Sequence, residues 1–255
     1  MKLTVAIISQ TSKPNEILLR SVAFADEIII IIDSPAVSRP SGTSTSSSPA
    51  TAGLTPPTKI FHHSLNNDFA TQRNFALQKA KSDWVFFVDD DEYVGAELVR
   101  EIQAVIKSST QSAGYLVPRL DLVFHQPLHH GETGHLSLLR LARRTAGKFS
   151  RPVHEFWRVR GRVGELSAPL YHLKDHFISE FLGRVSRYGQ IDSKVLSREG
   201  KPFSWFRLFI YPPAKFLNNY FLKAGFLDGT VGLFQAYLMG LQSLSTRIFQ
   251  WSNQK

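Results

Sequence analysis

Apolar positions fall into two rhythms along the chain. Leu3 to Ile8 and Ile28 to Ile32 are nearly unbroken apolar runs rich in Ile and Val, each closed by a polar residue. A third run, Trp84 to Val88, leads straight into Asp89-Asp90-Asp91-Glu92. Such runs are too short for helices and read as strands of a parallel sheet, buried on both faces. Between them the period lengthens. Asn66-Asn67-Asp68 offers an N-cap for a helix from about Phe69 to Ala80, and Leu98, Ile102, Val105 and Ile106 mark the stripe of a second; both are expected to be amphipathic. A strand over Tyr115 to Phe124 and strand-like pieces around Leu136 to Leu141 follow. From Phe177 onward the pattern is helical and aromatic, with Tyr211-Pro212-Pro213 expected to break it. Strands alternating with helices predict an α/β protein with an open sheet, whose ligands gather at the carboxyl ends of the strands.

Residues 34–58 follow neither rhythm. Ser, Thr, Pro, Gly and Ala dominate, with Arg39 as the one charge before Lys59, which predicts a flexible low-complexity insertion without chemistry of its own. At 255 residues the chain suits one α/β domain, over about 1–175, and a helical aromatic-rich extension over 176–255. The formal charge of +9 implies an anionic partner without choosing among a nucleotide diphosphate, an acidic lipid surface and a nucleic acid. Cysteine is absent, so a metal would sit on carboxylates or histidines. The apolar start is too short for a secretory signal, and a cytoplasmic protein is expected.

The acidic run needs a physical reason, because clustered carboxylates repel unless a cation lies among them. Mg²⁺ or Mn²⁺ suits such a site, taking one or two carboxylates and leaving positions for phosphate oxygens and water. If the strand continues, alternation puts Asp89 and Asp91 on one face and Asp90 on the other. Asp91 is then the first metal ligand to expect. A solvated acidic turn capping the next helix is the alternative. The histidines 62, 63, 125, 129 and 130 show no helical ligand spacing with a carboxylate partner, so no zinc site is expected.

A strand closing on Asp-x-Asp-Glu resembles the signature of the family 2 glycosyltransferases, enzymes of the GT-A fold, a Rossmann-like mixed sheet flanked by helices that binds nucleotide-sugars. Ala6 to Thr11 with Asn15-Glu16 is similar to the family's first strand and turn, although Lys13-Pro14 makes that turn atypical. Asp33 resembles the acid that recognises the nucleotide base, but the second acid common a few residues later is missing. The segment Asp68 to Ala76 is similar to the helix that brings a basic residue and an asparagine, here Arg73 and Asn74, near the nucleotide. Leu138-Leu139-Arg140-Leu141, Arg151-Pro152-Val153-His154-Glu155, Tyr171-His172 and Gly225-Phe226-Leu227-Asp228-Gly229 follow the order of a subgroup resembling lipopolysaccharide-core β-glucosyltransferases.

The resemblance implies an inverting transfer of a sugar, from a donor that is UDP-linked in relatives, to a glycolipid or polysaccharide acceptor. Glu155 is implied as the base, with His154 orienting it and Arg151 helping the departing phosphate. Thr11, Asp33, Arg73, Asn74, Asp89 and Asp90 are implied around the donor, and Asp91, Asp89 and His172 around the metal. An ordinary surface pair of Glu155 with an arginine, and a structural role for His172, stay open.

The uncharged stretch between Asp228 and Arg247 has nearly the length of a membrane span but carries glutamines, hydroxyls and glycines. Together with the aromatics and cations of Ser204 to Lys223 it suggests a helix lying at the inner face of the cell membrane, peripheral or monotopic. The same aromatics could instead cover the catalytic domain or form a dimer contact. Two other functions compete. A nucleotidyltransferase of similar fold would open with a Gly-rich phosphate loop, which Gln10 to Pro14 lacks. A non-catalytic relative or nucleic-acid binder would have no use for a tight acidic cluster, so no nucleic-acid partner is expected.

Overall fold

The computed structural model describes residues 1–9, 15–33, 56–66, 68–108, 111–134, 136–151, 155–174 and 177–254, the side chains of 180 and 184 excepted. Most of the predicted insertion 34–58 lies outside the described residues, as do Thr11 and His154. The chain forms two compact units, Met1–Arg119 with Ser137–His172, and Leu120–Leu136 with Leu173–Lys255.

In the first unit the predicted strands appear as β1 (Leu3–Ser9), β2 (Glu27–Ile32) and β4 (Trp84–Asp89), with β3 (Thr58–His62) added at the edge. β1 pairs in parallel with β2 on one side and β4 on the other, and β2 pairs in parallel with β3. The chain therefore steps outward from β1 in one direction and returns to its other flank, which makes the gap between β1 and β4 a topological switch point. Sheet order among the described residues runs β3-β2-β1-β4-β8-β6-β12-β5, with β5 (Glu92–Val94), β6 (Gly114–Val123), β8 (Leu136–Arg143) and β12 (Leu170–Lys174). The sheet is mixed, because β8 runs antiparallel to β4 and β12 antiparallel to β5.

Every residue of β1 and β2 is buried, as expected of central parallel strands, and their side-chain alternation sorts the core into two layers. Val5, Ile7, Ile28, Ile30, Trp84 and Phe86 meet α1 (Glu16–Ser21) and α3 (Ala96–Lys107). Ala6, Ile8, Ile29, Ile31, Val85 and Phe87 meet α2 (Phe69–Lys79) and the hairpin of β9 (Gly147–Ser150) with β10 (Phe156–Val159). The helices differ in kind. α3 buries Leu98, Ile102 and Ile106, the predicted stripe. α2 corrects the expectation of an amphipathic helix: its buried face holds Gln72 and Arg73 beside Ala70, Ala76 and Leu77, because that face supplies the acidic strand end with its counter-charge.

The second unit contains β7 (Gln126–Leu128), the helices α4 (Phe177–Arg198), α5 (Trp205–Leu217) and α6 (Gly229–Ser252), and between the last two a π-helical turn and a 3-10 turn. Its apolar centre gathers Val123, Leu128, Phe177 and Val231. The break expected at Tyr211-Pro212-Pro213 does not occur: α5 runs through both prolines to Leu217. Close packing explains the tolerance, since a Cβ on Gly240 of α6 would lie 3.2 Å from Pro212 O. Among the described residues no helix is long and apolar enough to cross a membrane.

Ile30 has no exposed surface, so Ile30→Ala should lower unfolding stability by about 2–5 kcal/mol in urea titrations, whereas Ile17→Ala on the exposed face of α1 should change it by about 0.5 kcal/mol or less.

Candidate active site

β4 ends where the acids begin, and the backbone turns between Asp89 and Glu92 instead of continuing as a strand. The alternation expected for Asp89 and Asp91 is therefore lost, and the three aspartates reach three different partners. Asp90 Oδ2 accepts a 3.0 Å hydrogen bond from Ser9 Oγ, tying the ends of β1 and β4 together across the switch point. Asp91 is half-exposed, and its Oδ2 lies 2.9 Å from His172 Nε2. That contact follows from topology, because the antiparallel register of β12 on β5 sets His172 opposite Glu92.

Asp89 is held differently. Arg73 Nη2 donates to its Oδ1 at 2.8 Å, and Arg140 Nη2 to its Oδ2 at 2.6 Å. Arg140 Nη2 also donates to Glu92 Oε1 at 2.9 Å, while the Asp89 backbone N–H donates to Glu92 Oε2. Arg73 Nε reaches Glu155 Oε1 at 2.9 Å. One chain of contacts thus links Glu155, Arg73, Asp89, Arg140 and Glu92, drawn from the hairpin, α2, β4, β8 and β5. Arg73 is buried, with its guanidinium carbon 5.5 Å from the ring centre of Phe87 and 5.6 Å from that of Phe149. These rings and Trp157 pack on one another, so the hairpin's aromatic anchor is also the platform that aims Arg73.

The charges respond to this packing. Burial alone would raise the Asp89 carboxyl, but Arg140 and Arg73 outweigh it and hold the group well below the usual carboxylate range. Glu92 shifts the other way: burial raises it, Arg140 only partly offsets this, and the charges of Asp89 and Asp91 add to the rise. Burial would depress the Arg140 guanidinium, yet Asp89 and Glu92 keep it firmly protonated.

The remaining predicted residues are placed as follows. Asp33, just beyond β2, accepts at Oδ1 from Leu65 N at 2.8 Å and so shapes the loop after β3. Asn74 uses both ends of its amide on the Phe149 backbone, donating to the carbonyl and accepting from the N–H at 2.9 Å each. It fastens β9 to α2. Arg151 is exposed and takes φ 73°, a left-handed conformation uncommon for a side-chain-bearing residue. Sequence reasoning missed Glu92, Ser9 and the role of Arg140. An arginine inside Leu138-Leu139-Arg140-Leu141 was the available signal, since a buried cation requires buried acids.

A divalent cation would find its protein ligands in Asp91 and His172, an accessible carboxylate in the turn before β5 and an imidazole on the neighbouring β12; Asp89 has an arginine at each oxygen. Two protein ligands with open positions suit a cation shared with a diphosphate. Among the described residues no three acidic or histidine side chains converge as a ready-made cage.

Asp89→Asn would leave two buried guanidinium groups without their shared anion, and should cost about 3–5 kcal/mol of stability at neutral pH. Because the Asp89 pKa is depressed on folding, its contribution is present above the unfolded value of about 3.9 and fades as the pH falls through the folded value. Urea unfolding followed below about pH 4 should therefore show a shallower acid loss in the variant than in the wild type.

The chain is similar to known proteins of three kinds. The Glycosyl transferase family 2 profile matches residues 18–153, more than half of the chain. A lipopolysaccharide core biosynthesis glycosyltransferase of Rhizobium meliloti, LpsC, is 26% identical over 180 residues, covering 67% of this chain and 67% of that protein. An uncharacterised glycosyltransferase of Rickettsia typhi is 24% identical over 193 residues, and the match spans 65% of its length. Among solved structures, TarS of S. aureus, residues 1–349 in complex with UDP, is 16% identical with a TM-score of 0.47, covering all of this chain and 91% of that one. By the extent of the profile match, with its acidic strand end and mixed α/β sheet, the chain belongs to family 2 of the glycosyltransferases.

Proposed function

We propose that the protein transfers a hexose, with inversion, from a nucleoside diphosphate sugar to a saccharide acceptor of the lipopolysaccharide-core type at the cytoplasmic face of the membrane. UDP is the favoured nucleotide. The observation that carries the reading is the convergence of Asp91–His172 and the Arg73–Glu155 pair at the carboxyl ends of the central strands. A divalent cation on Asp91 and His172 supplies charge neutralisation for the diphosphate.

The chain's own groups then have distinct tasks. Arg73 has a second terminal nitrogen, Nη1, buried without a hydrogen-bond partner among the described residues, and this guanidinium is the group assigned to the donor's phosphates. A diphosphate competes with Glu155 for that guanidinium, so Glu155 is freed as a base only when donor is present. The acceptor hydroxyl oxygen attacks the anomeric carbon and gives its proton to Glu155, while the bond to the diphosphate breaks and its electron pair leaves with the phosphate oxygen. Arg140, Asp89 and Glu92 position Arg73. Asn74 positions the hairpin that carries Glu155, and Asp33, with Thr11, belongs to the base-binding wall. His154 is assigned to orienting the base and Arg151 to the departing phosphate oxygen.

Membrane attachment is proposed for α5, which buries none of its residues; Trp205, Phe206 and Phe209 are 61–68% exposed beside Arg207. Aromatic rings next to cations suit the headgroup level of an anionic leaflet.

Release of UDP from a UDP-hexose should require a divalent cation, stop in chelator and fall to background in Asp91→Ala; release that persists in chelator would overturn the cation's role, and no release from the metal-loaded protein would return the nucleotidyltransferase and binding-only readings to contention. Glu155→Gln should reduce transfer by about 10²–10⁴-fold while donor binding, followed by calorimetry, is retained or tightened, because the diphosphate no longer competes with a carboxylate for Arg73. Co-sedimentation with vesicles containing phosphatidylglycerol should be lost when Trp205, Phe206 and Phe209 are replaced by serine, with UDP release retained.

A further inference from the structure

A second site lies on the outer side of α2. A cleft of about 1170 Å³ runs between α2 and the β9–β10 hairpin, and among the described residues its walls carry Arg144, Lys148, Arg158 and Arg160 but no aspartate or glutamate. The cations do not follow from the fold. Lys148 and Arg158 are direct cross-strand partners in the two-stranded ladder, both exposed, and like charges directly opposite each other destabilise a sheet. The strands are pressed together there, since a Cβ on Gly147 would overlap Arg158 O, so the backbone has little freedom to separate the charges.

Two polar atoms in the wall strengthen the argument. His63 Nδ1 and Ser150 Oγ are buried and have no hydrogen-bond partner among the described residues. Groups of this kind normally have one, and both side chains belong to the lining of the cleft. The cleft also adjoins the reaction centre through the backbone: Asn74 in its wall follows Arg73 in sequence, and Phe149 in its wall is the residue that Asn74 clamps.

We propose that this cleft binds the phosphorylated part of the saccharide acceptor, with the four cations on its phosphate groups and His63 and Ser150 on its hydroxyls. Guanidinium forks match phosphate oxygens in pairs, and a concave site of this size takes a ligand of several sugar residues better than a lone ion. The inference deepens the transferase reading and rests on it for the saccharide nature of the ligand. Its test is a binding measurement that needs no transfer.

The probe is the core oligosaccharide released from bacterial lipopolysaccharide by mild acid, titrated calorimetrically before and after phosphatase treatment. Phosphatase treatment should weaken binding by about tenfold or more, and so should Lys148→Glu with Arg158→Glu, while metal-dependent UDP release stays within about twofold of wild type. Should the charge-reversed protein melt early, Arg158→Gln with Arg160→Gln decides the matter by the same comparison. Binding indifferent to phosphatase, or unchanged in a folded variant, overturns the proposal. Affinity for phosphatidylglycerol vesicles without affinity for the oligosaccharide also overturns it, assigning the cations to a lipid surface. A wild-type protein that binds the oligosaccharide yet releases no UDP would sink the transferase reading and leave the cleft standing.

Discussion

Arg73 and Arg140 close on Asp89, one at each carboxylate oxygen, and much of the first unit's arrangement answers to that contact. A carboxylate at the end of a fully buried strand cannot stay charged without compensation, and compensation requires cations held as firmly as the strand itself. β8 delivers Arg140 by pairing with β4, and α2 delivers Arg73 by packing over Phe87. Glu92 then balances Arg140, and Glu155 balances Arg73. Removing any member would leave a buried charge exposed to its neighbours' field, so the constellation stands or falls together.

The same ion pairs separate two jobs that the sequence runs together. In the linear chain Asp89, Asp90, Asp91 and Glu92 look like one acidic patch. In the fold, Asp89 and Glu92 are committed to arginines, Asp90 to Ser9 and Asp91 to His172. Asp91 is the most exposed of these acids and the one to which the proposed mechanism gives a cation shared with a diphosphate. The inner acids hold the cationic partner that the proposed chemistry uses. The hairpin extends the division, with its aromatic side supporting Arg73 and its cationic side lining the neighbouring cleft.

The second unit follows a different rule. Its helices bury few large side chains in common, and α5 leaves Trp205, Phe206 and Phe209 largely in solvent. Proline was a misleading signal there. Two consecutive prolines remove two helical N–H groups, but whether a helix breaks depends on what packs against it, and the glycine-bearing face of α6 fits over that part of α5.

Sequence alone determined the elements whose burial is local to the residue pattern. Unbroken runs of Ile, Val and Phe can be satisfied only between two covering layers, so β1, β2 and β4 were legible, and the stripe of α3 with them. The placing of the acids at a strand's carboxyl end was legible too, and an ordered set of short motifs supplied Asp91, Arg73, Glu155 and His172 as candidates. Tertiary structure decided which acid meets which cation. Arg140 lies 51 residues from Asp89, and His172 lies 81 from Asp91. Such pairings depend on strand order and register, which residue spacing does not encode. The cleft was hidden for the same reason: Lys148 and Arg158 become neighbours only when the hairpin closes, and like charges ten apart in a sequence carry no warning that they will meet.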